Sequence, residues 1–505
     1  MDIMDKDLAG RIGRIKIKGK TIETPYLFPV IDPTRQEVPI SSIKSMGFNG
    51  VITNAYLAYK RGWNRDIHEL IGDGELVVMT DSGAYQLMQY NNIEVSNEEI
   101  IKIQKGLNSD IAVILDVPTG DSLDQNYAKW TAEETLRRAS EAQKIIDRDN
   151  RMWVLPIQGG IHLSILEESS KKSSQLEYDI YAIGSPTKFM ERYRYDVVLD
   201  MIRIVRENIR ADVPLHLFGA GHPMIIPFAV AMGVDLFDSA SYILFARDGR
   251  YMIEGGTLRL EDIEYFPCSC PICSRYTPKE LKNMNKDERT RLLAEHNLYM
   301  IKKILNEVKQ AINEGRLWEL LQSYSRKHPS LYSAFNNIKN KHVEWMEKYT
   351  PRVKGEQKAI YLFDNDSMFN PKILRARKYI MQNYMPPSEF KEVVFLYATY
   401  KNQRKFEEGK HYIYYAPGIG LIPQELSGTY PWGQNIIPSK ISYETMQSIA
   451  NDVVKYIEKF SDKYLKVSIG ICDEMSIMQE KISSLLDEET KEKVYFFKDS
   501  CENEQ

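Results

Sequence analysis

Short apolar runs recur along the first 250 residues, and each ends in a polar side chain. In order they are PYLFPVID, GVITNA, LVVMTD, IAVILD, WVLPIQGG, YDIYAIGS, LHLFGAG and VDLFDS. Most are apolar at consecutive positions rather than alternating, the pattern of parallel strands buried on both faces. Amphipathic stretches such as TAEETLRRASEAQKIIDRD separate them and fit surface helices. Eight such alternations predict a (β/α)8 TIM barrel, which builds its active site at the C-terminal ends of its strands.

The strand ends would then bring Asp32, Asn54, Asp81, Asp116, Gln158, Ser185 and Asp238 to one mouth. Capping of the following helices explains one or two of these residues. It does not explain four carboxylates and an amide converging where uncompensated charge is costly. Gly83, next to Asp81, suits a turn and a close approach to a ligand, and Tyr85 offers a flat face for a planar ring.

After the eighth run, Cys268, Cys270 and Cys273 form C-x-C-x-x-C, and His296 follows on a predicted helix. Three thiolates and an imidazole close a tetrahedral zinc shell with no open position, so the spacing predicts one structural Zn2+ rather than a Lewis acid. The zinc subdomain is expected over about 265–300, inside a catalytic domain spanning 1–345. Cys472 in KVSIGICDE reads as a small buried hydrophobe, and Cys501 lies in a polar tail.

From Pro351 the pattern changes. AIYLF, EVVFLYATY and HYIYYAP read as strands and KILRARKYIMQNY as a basic helix; YETMQSIANDVVKYIEKF, YLKVSIGIC and KVYFF follow. Two small α+β C-terminal domains are expected, 346–435 and 436–505. For the basic residues Lys372, Arg375, Arg377 and Lys378, a solvated face is favoured over RNA contact.

Composition narrows this picture only a little. The 505 residues exceed one core, and 43% hydrophobic with 27% charged residues is ordinary for globular domains. A net charge of −4 excludes a wholesale polyanion sponge but not a basic face. The N-terminus lacks the apolar core of a secretory signal. The longest uncharged stretch, Val213 to Val234, holds two histidines, three prolines and three glycines, so no membrane helix and a cytoplasmic location are expected.

The motifs TDSGAYQ, VILDVPTG, PIQGG, GVDLFDSASY and the C-x-C-x-x-C with His296, in this order, resemble the tRNA-guanine transglycosylases over about residues 1–345. DSASY after Phe237, GSPTKF after strand six and PGIGLIPQELSGTYPWGQ in the C-terminal third resemble the archaeal branch. The resemblance implies exchange of the D-arm guanine at position 15 of tRNA for 7-cyano-7-deazaguanine (preQ0), the first step towards archaeosine.

Base exchange on a ribose is displacement at an anomeric carbon, which two carboxylates can divide as nucleophile and acid/base. The residues alone leave those two roles interchangeable. The resemblance gives the nucleophile to Asp238 and the acid/base to Asp81. It assigns base recognition to Ser82, Asp116, Gln158, Gly159, Gly184 and Ser185, and stacking to Tyr85 and Phe218, the latter also readable as core packing. Arg247 and Arg250 would hold RNA phosphates. It further implies a homodimer through the zinc region. The PUA RNA-binding domain common in the archaeal branch has no matching stretch, so a separate PUA-domain protein is a candidate partner. Competing readings are exchange at another tRNA position, deazaguanine insertion into DNA, and a non-catalytic RNA-binding partner subunit. Retention of both Asp81 and Asp238 speaks against the last.

Overall fold

The computed structural model describes residues 1–84, 95–148, 151–356, 358–398, 407–438, 442–472 and 475–499. It divides into two compact units, Met1–His342 and Val343–Gln505.

The first unit opens with an antiparallel meander absent from the sequence expectation: Asp2–Asp7 (β1), Gly10–Ile17 (β2) and Lys20–Thr24 (β3). Over residues 13–17 of β2 buried and charged positions alternate, which buries one face and leaves the other open. The barrel follows, with all eight expected strands. These are Tyr26–Pro29 (β4), Gly50–Asn54 (β5), Val77–Asp81 (β6), Ile111–Val113 (β7), Met152–Ile157 (β8), Ile180–Ile183 (β9), Leu215–Leu217 (β10) and Leu236–Ser239 (β11).

They pair in parallel in the order β4-β11-β10-β9-β8-β7-β6-β5, and a parallel bridge between Val30 and Ile52 links the two end strands. Beside that bridge, Tyr26 Oη accepts from Gly50 N at 2.7 Å and donates to Gly50 O at 2.9 Å. The meander is tied to the N-terminal ends of the strands by a buried pair. Arg11 donates to both oxygens of Asp235, just before β11, at 2.7 and 2.8 Å, and to Val213 O before β10. Asp235 also accepts from Leu215 N, so both charges are paired and bonded, as burial requires.

Beyond β11 a hairpin, Arg250–Ile253 (β12) and Gly256–Arg259 (β13), leads into the cysteine segment and then the helix Lys286–Glu314. Asn285 caps that helix by accepting from Glu288 N.

In the second unit Ile360–Tyr361 (β14) pairs with Asn435–Ile436 (β18). Glu392–Tyr397 (β15), Lys410–Ala416 (β16), Gly420–Pro423 (β17), Lys466–Ile471 (β19) and Val494–Lys498 (β20) form a single sheet, ordered β17-β16-β15-β19-β20. The strands expected in two modules, 346–435 and 436–505, therefore share one sheet, because β15 pairs with β19. One apolar core, containing Phe395, Ile413, Tyr415, Val453, Tyr456 and Ile469, runs across the expected boundary. Cys472, buried in that core, is disulfide-bonded, where the sequence reads as only a small hydrophobe. The basic helix Pro371–Gln382 spends its charges on its own unit. Arg375 donates to the carbonyls of Pro351, Glu347 and Thr350, Arg377 binds Asp452, and Lys378 binds Glu347.

Candidate active site

The C-terminal ends of the barrel strands surround a cavity of about 960 Å3. Asp32, Asn54, Asp81, Asp116, Gln158, Gly184, Ser185, Phe218, Asp238, Arg247 and Arg250 all line it. Ser82 and Gly159 are the chain neighbours of Asp81 and Gln158 in this wall. Ser82 is fully buried, with a hydroxyl that finds no partner among the described residues. Tyr85 falls outside the described residues.

Register sets the first contact. β5 and β6 pair with Asn54 opposite Asp81, so Asn54 Nδ2 donates to Asp81 Oδ2 at 3.3 Å. Asp81 is half-buried and lines the cavity. Its pKa is pushed up to about 7, first by burial and then by the charges of Asp116 and Asp238; the N–H groups of Gly83 and Ser82 resist. Gly83 has φ +85, and a Cβ there would come within 2.6 Å of Tyr56 Cβ. Its missing side chain thus makes room for Tyr56 on the neighbouring helix.

Asp116 is raised to about 6 by burial, against the hydrogen bond from Gln158 and the charge of Arg138. Gln158 is 1% exposed and ties this wall together. Its Nε2 donates to Asp116 Oδ2 at 2.6 Å, and its Oε1 accepts from Thr119 N and Ser185 Oγ, each at 3.0 Å. The Ser185 hydroxyl in turn accepts from Gly120 N. Gly184 lies against this amide, where a Cβ would sit 2.2 Å from Gln158 Nε2. Gly159 has φ +145 and packs on the backbone of Leu166, which excludes a side chain there too.

Asp238, at the end of β11, is 9% exposed. Its Oδ1 accepts from His216 Nε2 at 2.8 Å and from Gly219 N at 3.0 Å. His216 was not among the sequence candidates. The available signal is its position two residues before Phe218, on the same face of an otherwise apolar strand. Phe218 packs on the His216 ring with centroids 4.7 Å apart while its own ring lines the cavity.

Charges at the rim are partly engaged. Asp32 accepts from both terminal nitrogens of Arg61 at 2.6 and 3.0 Å, so it balances a cation rather than joining the chemistry. Arg247 pairs with Glu37 at 2.9 Å, and the Arg250 guanidinium lies 3.7 Å over the Phe245 ring.

In the cysteine segment and the long helix after it, the ligand atoms of Cys268, Cys270, Cys273 and His296 all lie within 4.8 Å of one another. His296 Nδ1 stands 3.5 Å from Cys270 Sγ and 3.4 Å from Cys273 Sγ. Metal–ligand bonds of about 2.3 Å to sulfur and about 2.1 Å to nitrogen at a tetrahedral centre put neighbouring donors roughly 3.6 Å apart, so the set fits a bound metal. Nε2 donates to Met252 O at 2.9 Å, which fixes the tautomer that presents Nδ1, and Tyr251 stacks on the ring at 3.6 Å.

A closed parallel barrel whose mouth gathers three enclosed carboxylates, two with raised proton affinity, has the layout of an enzyme active site. The chain belongs to the tRNA-guanine transglycosylase family: the family model described as Queuine tRNA-ribosyltransferase matches residues 5–330. A tRNA-guanine(15) transglycosylase from Saccharolobus solfataricus is 42% identical, with 96% of this chain and 99% of that protein covered. The protein of the same name from Aeropyrum pernix is 42% identical over 96% of this chain and 97% of its own length. That from Pyrococcus furiosus is 38% identical over 90% of this chain but only 74% of its own length. Among the described residues no helix is long and apolar enough to cross a membrane.

Proposed function

We propose that this enzyme exchanges the guanine at position 15 in the D-arm of tRNA for preQ0, in archaeosine synthesis, through a covalent intermediate on Asp238. The names of the relatives support the substrate and position. The observation that carries the division of labour is the contrast between the two carboxylates. Asp81, held near pH 7, can carry a proton or release one. Asp238, with one oxygen already bonded to two N–H groups, has the other available for attack.

In the first step Asp238 Oδ2 bonds to the ribose C1′ as the C1′–N9 bond breaks, and the Asp81 carboxyl delivers its proton to the departing guanine. In the second, the incoming base attacks C1′ through its ring nitrogen and the C1′–Oδ2 bond breaks. The base N–H proton returns to Asp81, so no net proton or cofactor is consumed. Asp116, Gln158, Ser185 and the backbone around Gly159 and Gly184 read the base edge, with Ser82 beneath, and Phe218 and Tyr85 stack on its faces. Arg247 and Arg250 bind phosphates at the rim, Arg247 by exchanging Glu37 for RNA.

Zn2+ held by Cys268, Cys270, Cys273 and His296 would fasten the cysteine segment to the long helix; with four protein ligands it supplies no catalysis. A cytoplasmic homodimer through the zinc region, and a separate PUA-domain protein as a further partner, belong to the same reading.

The test is base exchange on an unmodified tRNA transcript with labelled guanine and then preQ0, the modified position being located by mass mapping. Incorporation at position 15, lost in Asp238→Ala, is the expected result. Incorporation elsewhere in tRNA, or into DNA alone, would overturn the substrate assignment.

A further inference from the structure

We propose that His216 is a positioning residue that fixes Asp238 through one oxygen and so selects the other for attack; this rests on Asp238 being the nucleophile. His216 is fully buried in β10, its ring within 13° of parallel to Phe28 at 6.5 Å and packed on Phe218 at 4.7 Å. Its Nε2 lies 2.8 Å from Asp238 Oδ1, while Nδ1 has no partner among the described residues. These surroundings choose the tautomer.

With the proton on Nε2, the ring donates to the carboxylate and leaves only a lone pair unmatched. With the proton on Nδ1, a lone pair would face the carboxylate oxygen and an N–H would be buried without an acceptor, so that tautomer is disfavoured on both sides of the ring. Parallel pairing supplies the alignment. His216 lies opposite Leu236 in β11, and Asp238 lies opposite Phe28 in β4. The imidazole and the carboxylate are therefore carried by adjacent strands of one rigid sheet.

The second donor, Gly219 N at 3.0 Å, reaches the same Oδ1. Two fixed N–H groups on one oxygen hold the carboxylate plane and leave Oδ2 for the ribose. When the C1′–Oδ2 bond forms, Oδ1 becomes the carbonyl oxygen of the ester and keeps both donors. When that bond breaks, the same donors receive the returning charge. The role is geometric and electrostatic, so its loss should appear in turnover rather than in RNA affinity.

His216→Gln and His216→Met test this directly. The two side chains are close in volume, so packing losses cancel, but only Gln retains an N–H donor at comparable reach. With labelled guanine and a tRNA transcript, the Met variant is expected to lose about 10- to 100-fold in kcat, with KM for tRNA within about twofold. The Gln variant is expected to recover most of that loss, and single-turnover adduct formation should follow the same order. Equal kcat in the two variants, whether both high or both low, or a loss confined to KM, would overturn the role. Asp238→Ala, assayed in parallel, separates the failures: if it still exchanges guanine, the nucleophile assignment falls, whereas a dead Asp238→Ala beside equal Gln and Met variants refutes His216 alone.

Discussion

Burial and two neighbouring carboxylates lift the proton affinity of Asp81, and the same forces tax the fold. For an acid whose folded pKa is about 7, against 3.8 when exposed, the folded state binds more protons than the unfolded between those values. Stability therefore declines as pH rises through that window. Asp81→Asn removes the penalty along with the proton. It should abolish exchange, melt with the wild type near pH 4, and be more stable by roughly 2 kcal/mol at pH 8, taking half the full linkage because the carboxylate opens onto the cavity. Calorimetry at the two pH values checks this; an Asn variant no more stable at pH 8 than the wild type would contradict it. At Gly184 the decisive quantity is steric. A methyl group 2.2 Å from Gln158 Nε2 must push the amide off Asp116. Gly184→Ala is expected to raise KM for the free base at least tenfold while KM for tRNA moves little.

At the scale of elements, the barrel separates chemistry from stability. On the N-terminal side, Asp110 Oδ2 accepts from Lys20 and His68, each at 3.0 Å, and from Val78 N at 2.9 Å. Burial opposes the charge of Asp110, but these donors hold its pKa down to about 2. His68 is raised, chiefly by its bond to Asp110. His68 therefore contributes stability that is fully present below its unfolded pKa and is lost as pH rises through its higher folded value. His68→Ala should lower the thermal midpoint more at pH 5.5 than at pH 9 and leave kcat within about twofold, because the cluster lies at the opposite end of the strands from Asp81 and Asp238. The cysteine segment is held differently. Cys273→Ser should bind metal less tightly by elemental analysis and lower the thermal midpoint, while its folded fraction keeps near-normal kcat.

Over the whole molecule, what could be read from sequence follows from where the signal is local. A polar residue ending an apolar run marks a parallel strand and a barrel mouth together, and Asp81, Asp116, Gln158 and Asp238, each ending such a run, line one cavity. The cysteine spacing is equally local. His216 carries no such mark: a single histidine inside an apolar strand reads as core, and only the neighbouring strand supplies its partner Asp238. The N-terminal meander stands outside the eightfold run of apolar strands, although residues 13–17 of β2 alternate as a half-buried strand does. Parallel pairing of β15 with β19 has no local signature at all, so two modules were expected where one sheet exists. Deleting residues 437–505 should accordingly uncover Phe395, Ile413 and Tyr415 and unfold the remaining C-terminal segment, seen as rapid proteolysis beyond residue 343. Whether Asp238 rather than Asp81 carries the ribose is decided by acid-quenching the enzyme with an unmodified tRNA transcript and mapping the covalent RNA–protein adduct by mass spectrometry after nuclease and protease digestion. The nucleotide is expected on the peptide containing Asp238; an adduct on Asp81, or exchange proceeding with no adduct, would rule Asp238 out as the nucleophile.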